Sequence, residues 1–302
     1  MPSRQRRRLG CRNDERAARM LIGLRQALDH AERANCGIAA INTPTLELLL
    51  GAVKVAERYA VPMVLQHAQV HEPVNAIEDI GPVMVEVARR SSAPLVVHVD
   101  HGETIEYVER GFAVGFNSAM FDGSRLPYDD NVAQTRAVVE LADGYGFGVE
   151  GELGIMPGRE DGVESTGTAD EALYTRPDDA AAFVAATGVT ALACSFGTVH
   201  GLYKAEPKIN YELIGELRRA GGVPVVMHGG SGLSCDEYRA SIDQGVRKIN
   251  YYTYADKAAL EAARTLLTEK PDTYVFSDLT VAAQAAITAD LDALVRCLYR
   301  VF

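Results

Sequence analysis

Three of the seven histidines, His101, His200 and His228, stand at or just beyond the ends of short runs rich in Val, Ile, Ala and Leu. The runs end "LVVHVDH", "ALACSFGTVH" and "PVVMH". A lone histidine in such a place is usually a hydrogen-bonded core residue. Three that share one position relative to their runs, with a carboxylate such as Glu152 at the end of a fourth, suit Zn2+ or a similar transition ion and leave a coordination position open for a substrate. Asp100, beside His101, ends the same run. Asn42, Gln66, His67, Asp122 and Asn250 end other runs. His228 opens "HGGSG" and His200 lies in "GTVHGLY". In both, glycines let backbone N–H groups approach a phosphate with no Cβ in the way, and Ser231 can add a hydroxyl donor.

Residues gathered in this way need elements that deliver them to one rim. Eight apolar runs recur, at 37–41, 62–66, 94–99, 118–121, 148–153, 191–196, 224–228 and 248–252. They are continuously apolar, as strands buried on both faces of a parallel sheet are. Amphipathic stretches such as "LELLLGAVKVAERYA", "PVMVEVARR", "NVAQTRAVVELADGYG" and "ELIGELRRAGG" separate them. An open doubly wound sheet would carry a Gly-rich turn after its first strand, whereas this chain reads "INTPTLE" there. The pattern predicts an α/β fold, a (β/α)8 TIM barrel with extra C-terminal helices, whose site lies at the C-terminal ends of the strands. Residues 20–302 are expected to form one domain after a basic tail, 1–19, which leaves Met1 and Met20 as alternative starts. The segment 154–174 has no periodicity and reads as a lid.

Composition narrows the function. The net charge of -11 argues against nucleic acid or an anionic membrane as partner. No apolar stretch reaches the roughly 20 residues a membrane helix needs, and none follows "RQRRR" as a signal peptide would require. A cytoplasmic protein is expected. The five cysteines (Cys11, Cys36, Cys194, Cys235, Cys297) are odd in number and irregularly spaced, which predicts free thiols, with Cys194 packed in a strand.

In order along the chain, "HVDHGE" (98–103), "VEGELG" (149–154), "GREDGV" (158–163), "SFGTVHGLYK" (195–204), "HGGSG" (228–232) and "KINYYT" (248–253) resemble the class II, metal-dependent fructose-bisphosphate and tagatose-bisphosphate aldolases. The resemblance implies that His101, His200 and His228 bind a catalytic zinc, with Glu152 as an alternative ligand. It implies that Asp100 is the acid/base at the C4 hydroxyl of the substrate and that Glu160 exchanges the proton on the dihydroxyacetone phosphate carbon. Gly201, Gly229, Ser231, Asn250 and Thr253 would hold the first phosphate and the C3 hydroxyl, with Asn42 and Tyr252 also lining the substrate. A Na+ or K+ ion near the phosphate and a homodimer or homotetramer are further implications. A Lewis-acidic metal makes a lysine Schiff base unnecessary, and Lys204 and Lys208 read as solvated.

The sequence departs from the family at the acceptor half. Tyr252 stands where the relatives read "NxDT" or "NxAT", and Ala68 replaces a serine. His67 could touch substrate or pack under a loop, and His71 reads as solvated. "TVAAQAAITADLDALVRCLYR" offers only Arg296 and Arg300, near its end, to a second phosphate. The expected aldehyde product therefore lacks a phosphate or carries another polar group. The rival expectations are a metal-dependent sugar-phosphate epimerase and a non-catalytic sugar-phosphate-binding protein. Intact Asp100, Glu160 and histidines weigh against the second.

Overall fold

In the computed structural model of the chain, the described residues are 20–154, 171–201 and 207–301. The basic tail 1–19, residues 155–170 of the expected lid with Glu160 among them, and Lys204 lie outside the described residues.

Eight strands, β1 (Ile38–Asn42), β2 (Met63–Ala68), β3 (Leu95–Gly102), β4 (Ser118–Phe121), β5 (Gly148–Leu153), β6 (Ala191–Cys194), β7 (Val225–Met227) and β8 (Val246–Tyr251), close into a barrel in chain order. Every neighbouring pair is parallel, including β8 against β1. All eight apolar runs are strands, and the predicted (β/α)8 barrel is the observed architecture.

Helix α1 (Leu24–Ala34) precedes β1 and, touching β1, β5 and β8, lies across the N-terminal end of the barrel, whereas α2 (Leu46–Tyr59), α3 (Ile77–Arg90), α4 (Ile105–Ala113), α5 (Tyr128–Asp143), α6 (Pro177–Thr187), α7 (Tyr211–Gly221) and α8 (Cys235–Gln244) form the outer layer. Thr45, Thr104, Asn210 and Ser234 each accept a backbone N–H from the first turn of the helix they precede, which fixes where α2, α4, α7 and α8 leave the strand ends. The amphipathic stretch "PVMVEVARR" lies within α3, and its Pro82 sits in the second turn of that helix.

Two further helices, α9 (Thr253–Glu269) and α10 (Phe276–Leu298), follow the barrel. Asp292 of α10 accepts from Tyr59 of α2, and Tyr251 of β8 donates to Asp290 at 2.8 Å. The last turn of α10 reaches the N-terminal end of β1, where Gly37 N–H donates to Leu298 O at 3.3 Å and Ala39 N–H to Tyr299 Oη at 3.1 Å. Arg296 lies in that turn, and Arg300, just beyond it, pairs with Asp243.

The expectation of five free thiols is corrected. Cys235, which opens α8, is disulfide-bonded to Cys297 in the last turn of α10, whereas Cys36 and Cys194 are free and buried. A separation of 62 residues gives no local cue to the pairing; the packing of α10 beside α8 makes it. Burial raises the Cys194 thiol pKa, in keeping with a packed rather than a reactive cysteine. Among the described residues, no helix is long and apolar enough to cross a membrane.

Candidate active site

Polar residues cross the barrel axis at its C-terminal end. Parallel pairing puts Asn42, Gln66, His98, Ser118 and Gly148 in one row, and side chains so paired share a face. That face is the interior, because bonds run between strands that are not neighbours. His228, after β7, meets Glu150 of β5 at 2.8 Å, and Asn250 of β8 donates to Asp100 of β3 at 3.0 Å.

Asp100 and His101 are consecutive, yet both serve the site, although strand geometry would send them to opposite faces. The pairing of β3 with β4 shifts between Val99 and Gly102, and His101 has φ 42°, a left-handed conformation uncommon outside glycine. This local distortion turns the imidazole back over the barrel mouth, a use of backbone strain that is found at functional sites.

His101, His200 and His228 each offer a ring nitrogen, and the three nitrogens lie within 4.8 Å of one another. Two of the rings are oriented by carboxylates. His101 Nδ1 is 2.8 Å from Asp122 Oδ2, and His228 Nε2 is 2.8 Å from Glu150 Oε1. A carboxylate can only accept, so these nitrogens carry the protons and the lone pairs belong to His101 Nε2 and His228 Nδ1. Those two atoms face each other at 2.9 Å. Two lone pairs so close require a positive charge between them, either a proton or a metal ion. Glu152 Oε2, buried 3.7 Å from His101 Nδ1, has no hydrogen-bond partner among the described residues. The donor set, the carboxylates behind it and this orphaned oxygen fit a transition ion.

The protonation preferences agree with that geometry. Burial opposes an imidazolium at His101, but Asp100 and then Asp122 outweigh it and push the pKa well above the ordinary value. Burial, with Asp122 adding to it, pushes the Glu152 carboxyl well up. Burial would also raise the Asp100 carboxyl, yet the charges of His101 and Lys248 hold it well below the usual range. Asp100 is thus an ionised carboxylate, fixed by Asn42 Nδ2 at 2.9 Å and Asn250 Nδ2 at 3.0 Å. It stands beside the histidine cluster in its unprotonated form.

One layer below lies a buried group that sequence reasoning left unassigned. Lys248 Nζ is 2.9 Å from Glu150 Oε2 and 2.7 Å from Asn250 Oδ1, and His98 Nδ1 is 2.8 Å from Ser118 Oγ. Lys248, chiefly, holds the Glu150 carboxyl down to about 2 against the effect of burial. The available signal was the spacing: 98 and 100, 150 and 152, and 248 and 250 are i and i+2 on single strands, so each member points inward beneath a site residue.

The remaining candidates gather after β6, β7 and β8. Gly229 has φ 62°, and a Cβ there would meet Val199 O at 2.3 Å, so only glycine lets the two loops approach. Gly201 is also left-handed. Ser231 Oγ accepts the Tyr252 N–H at 3.0 Å and keeps its own proton to donate. Thr253 begins the 17-residue α9, whose N-terminus opens beside Ser231. This is the place where barrels hold phosphate.

Two expectations at the rim are decided. His67 does not face substrate: Nδ1 meets Tyr107 Oη at 2.9 Å and Nε2 meets Asn75 O at 2.9 Å. His71 is not solvated but 2% exposed, because its ring packs on Tyr252 with centroids 4.6 Å apart. Lys208 is exposed, as expected.

A closed parallel barrel with carboxylates and histidines gathered at the C-terminal ends of its strands has the arrangement in which barrel enzymes carry their sites. The family model described as "Fructose-bisphosphate aldolase class-II" matches residues 22–300. This chain belongs to that family. YdjI of Escherichia coli K12 is 34% identical over 249 residues, 81% of this chain and 87% of that protein. Its crystal structure, described as the YdjI aldolase, superposes with a TM-score of 0.80 at 29% identity and covers 92% of this chain and 97% of that one. A putative fructose-1,6-bisphosphate aldolase from Coccidioides immitis gives a TM-score of 0.78 at 26% identity, with 90% and 94% covered.

Proposed function

We propose that the protein is a zinc-dependent aldolase that reversibly cleaves a ketose 1-phosphate or ketose 1,6-bisphosphate to dihydroxyacetone phosphate and an aldehyde. The observation that carries this reading is the Asp100 carboxylate, held by two amides next to a converging histidine triad. His101, His200 and His228 would hold the ion, and Glu152 is within reach as an alternative ligand. When bound, a zinc ion supplies Lewis-acid polarisation of the substrate ketone.

The protein side chains do the rest. Asp100 takes the proton of the C4 hydroxyl as the C3–C4 bond breaks and the aldehyde carbonyl forms. The electron pair left on C3 is quenched by a proton from Glu160, in keeping with the family resemblance. Ser231, Gly201, Gly229, Asn250 and Thr253 bind the donor phosphate and the adjacent hydroxyl, with Na+ or K+ as a counter-ion. Asn42 and Tyr252 border the other half of the substrate.

The exposed Tyr274, Phe276 and Val281 around the turn into α10 support a homo-oligomer, and the negative charge supports small molecules rather than nucleic acid as partners. A coupled assay for dihydroxyacetone phosphate over a panel of ketose phosphates tests the reading. Release of that product is expected. Conversion to an epimer with no cleavage product would overturn the aldolase in favour of an epimerase.

A further inference from the structure

The rim of the barrel carries an aromatic pair, of which His71 has no assigned role. His71 lies in a 3-10 turn (Gln69–His71) directly after β2, and Tyr252 directly after β8. Their rings meet at 4.6 Å, and both residues are buried, 2% and 7% exposed. Because β8, β1 and β2 are successive strands of the barrel, a contact between the loops after β8 and β2 must pass over the C-terminal end of β1. That end is Asn42, whose amide donates to Asp100.

The catalytic carboxylate therefore has two sides. On one, β3, β6 and β7 carry the histidines, and the glycine loops adjoin them. On the other are Asn42 and the His71–Tyr252 roof. A substrate whose ketone lies at the histidines and whose breaking bond lies at Asp100 must put its leaving aldehyde under that roof.

The chemistry of this second side is specific. Asn42 Oδ1 and both amide atoms of the neighbouring Gln66 are fully buried, with no hydrogen-bond partner among the described residues. Buried polar atoms of this kind require partners, and a hydroxyl can serve an acceptor and a donor alike. Ala68, paired with Asp100, contributes only a methyl group. The loops flanking the roof, residues 43–46, 69–76 and 252–256, contain Glu72 and Asp256 but no Lys or Arg. Of the nearby cations among the described residues, Lys248 is engaged by Glu150 and Asn250 and Arg110 by Glu72 and Glu78, while Lys257, one residue beyond the third loop, lies over the Tyr254 ring. Arg296 and Arg300, the basic residues of the C-terminal helix, lie by the N-terminal end of β1, across the barrel from the site. A second phosphate on this side would lie against loops that carry two carboxylates, the rings of His71 and Tyr252 and no Lys or Arg.

We infer that His71 and Tyr252 roof an acceptor subsite for a short, uncharged hydroxyaldehyde, whose hydroxyl groups pair with Asn42 and Gln66. The inference rests on the aldolase reading above, so its test must separate the two halves of the reaction. Exchange of solvent deuterium into dihydroxyacetone phosphate, followed by NMR on the zinc-loaded protein with no aldehyde present, reads the donor half alone. Condensation with glycolaldehyde, glyceraldehyde, lactaldehyde or glyceraldehyde 3-phosphate reads the acceptor half.

The wild-type protein is expected to exchange deuterium and to favour glyceraldehyde over its 3-phosphate by at least about tenfold in kcat/KM, the equivalent of one interaction of roughly 1.4 kcal/mol. In Tyr252→Ala and in His71→Ala, each checked for folding by thermal melt, condensation with glyceraldehyde should fall relative to exchange by about the same factor. A tenfold preference for glyceraldehyde 3-phosphate overturns the inference. So does a ratio of condensation to exchange unchanged in both variants, and the wild-type panel decides even if neither variant folds. Absence of exchange in the wild-type protein would instead overturn the aldolase reading itself.

Discussion

Replacing Lys248 by methionine removes the cation that joins Glu150, behind His228, to Asn250, beside Asp100. Lys248 and Glu150 are 2.9 Å apart, and both side chains are fully buried. Without its partner, the Glu150 carboxylate becomes an uncompensated charge in the barrel interior, a change that costs about 3–5 kcal/mol. At roughly 2–4 °C per kcal/mol for chains of about 150–250 residues, the melting temperature should drop by about 6–20 °C. Thermal and urea melts of the chelator-treated protein measure the loss without a contribution from bound metal. Adding Glu150→Gln to the variant neutralises the stranded charge and should restore at least about half of the lost stability, a coupling expected of residues in direct contact. A single variant within about 1 kcal/mol of wild type, or a double variant no more stable than the single one, would refute the idea that this pair is a buried, mutually compensated ion pair.

Other perturbations probe the rest of the structure. Asp122→Ala takes away the acceptor that orients the His101 ring, so metal affinity should fall about 10–100-fold in chelator competition, and an unchanged affinity would contradict that role. His67 is held by burial to about 4, against an ordinary value of 6.5, so the fold keeps it neutral while the unfolded chain binds a proton. Its contribution is therefore intact above pH 6.5 and is lost as the pH falls toward 4, by about 3 kcal/mol in all. Melting curves of His67→Gln should depend less steeply on pH across that window; an equal slope counts against the assignment. Cys297→Ser opens the link between α8 and α10 and should cost roughly 2–4 kcal/mol under non-reducing conditions. Equal stability of variant and wild type without reductant would mean that the bond does not form.

Much of this protein is legible in its sequence because parallel strands buried on both faces leave continuous apolar runs, and because a barrel sends the ends of those runs to one rim. His101, His200, His228, Asp100 and Asn250 were found in that way. The interior charges were harder to read. Glu150 and Lys248 look out of place in apolar strands until it is known that they face each other across the barrel. The burial of His71 depends on Tyr252, far away in sequence, and the Cys235–Cys297 bond depends on where α10 packs. In each case the information lies in a contact between distant elements, which no local pattern encodes. The joint use of Asp100 and His101 rests on a backbone distortion that residue types alone do not announce.

The most direct test of the central claim is the release of dihydroxyacetone phosphate from a ketose 1-phosphate by chelator-treated protein, before and after one equivalent of Zn2+ is added. The site described here predicts no release before the addition and restored release after it, with His200→Ala and His228→Ala silent in both conditions. Full activity in the metal-stripped protein would contradict it.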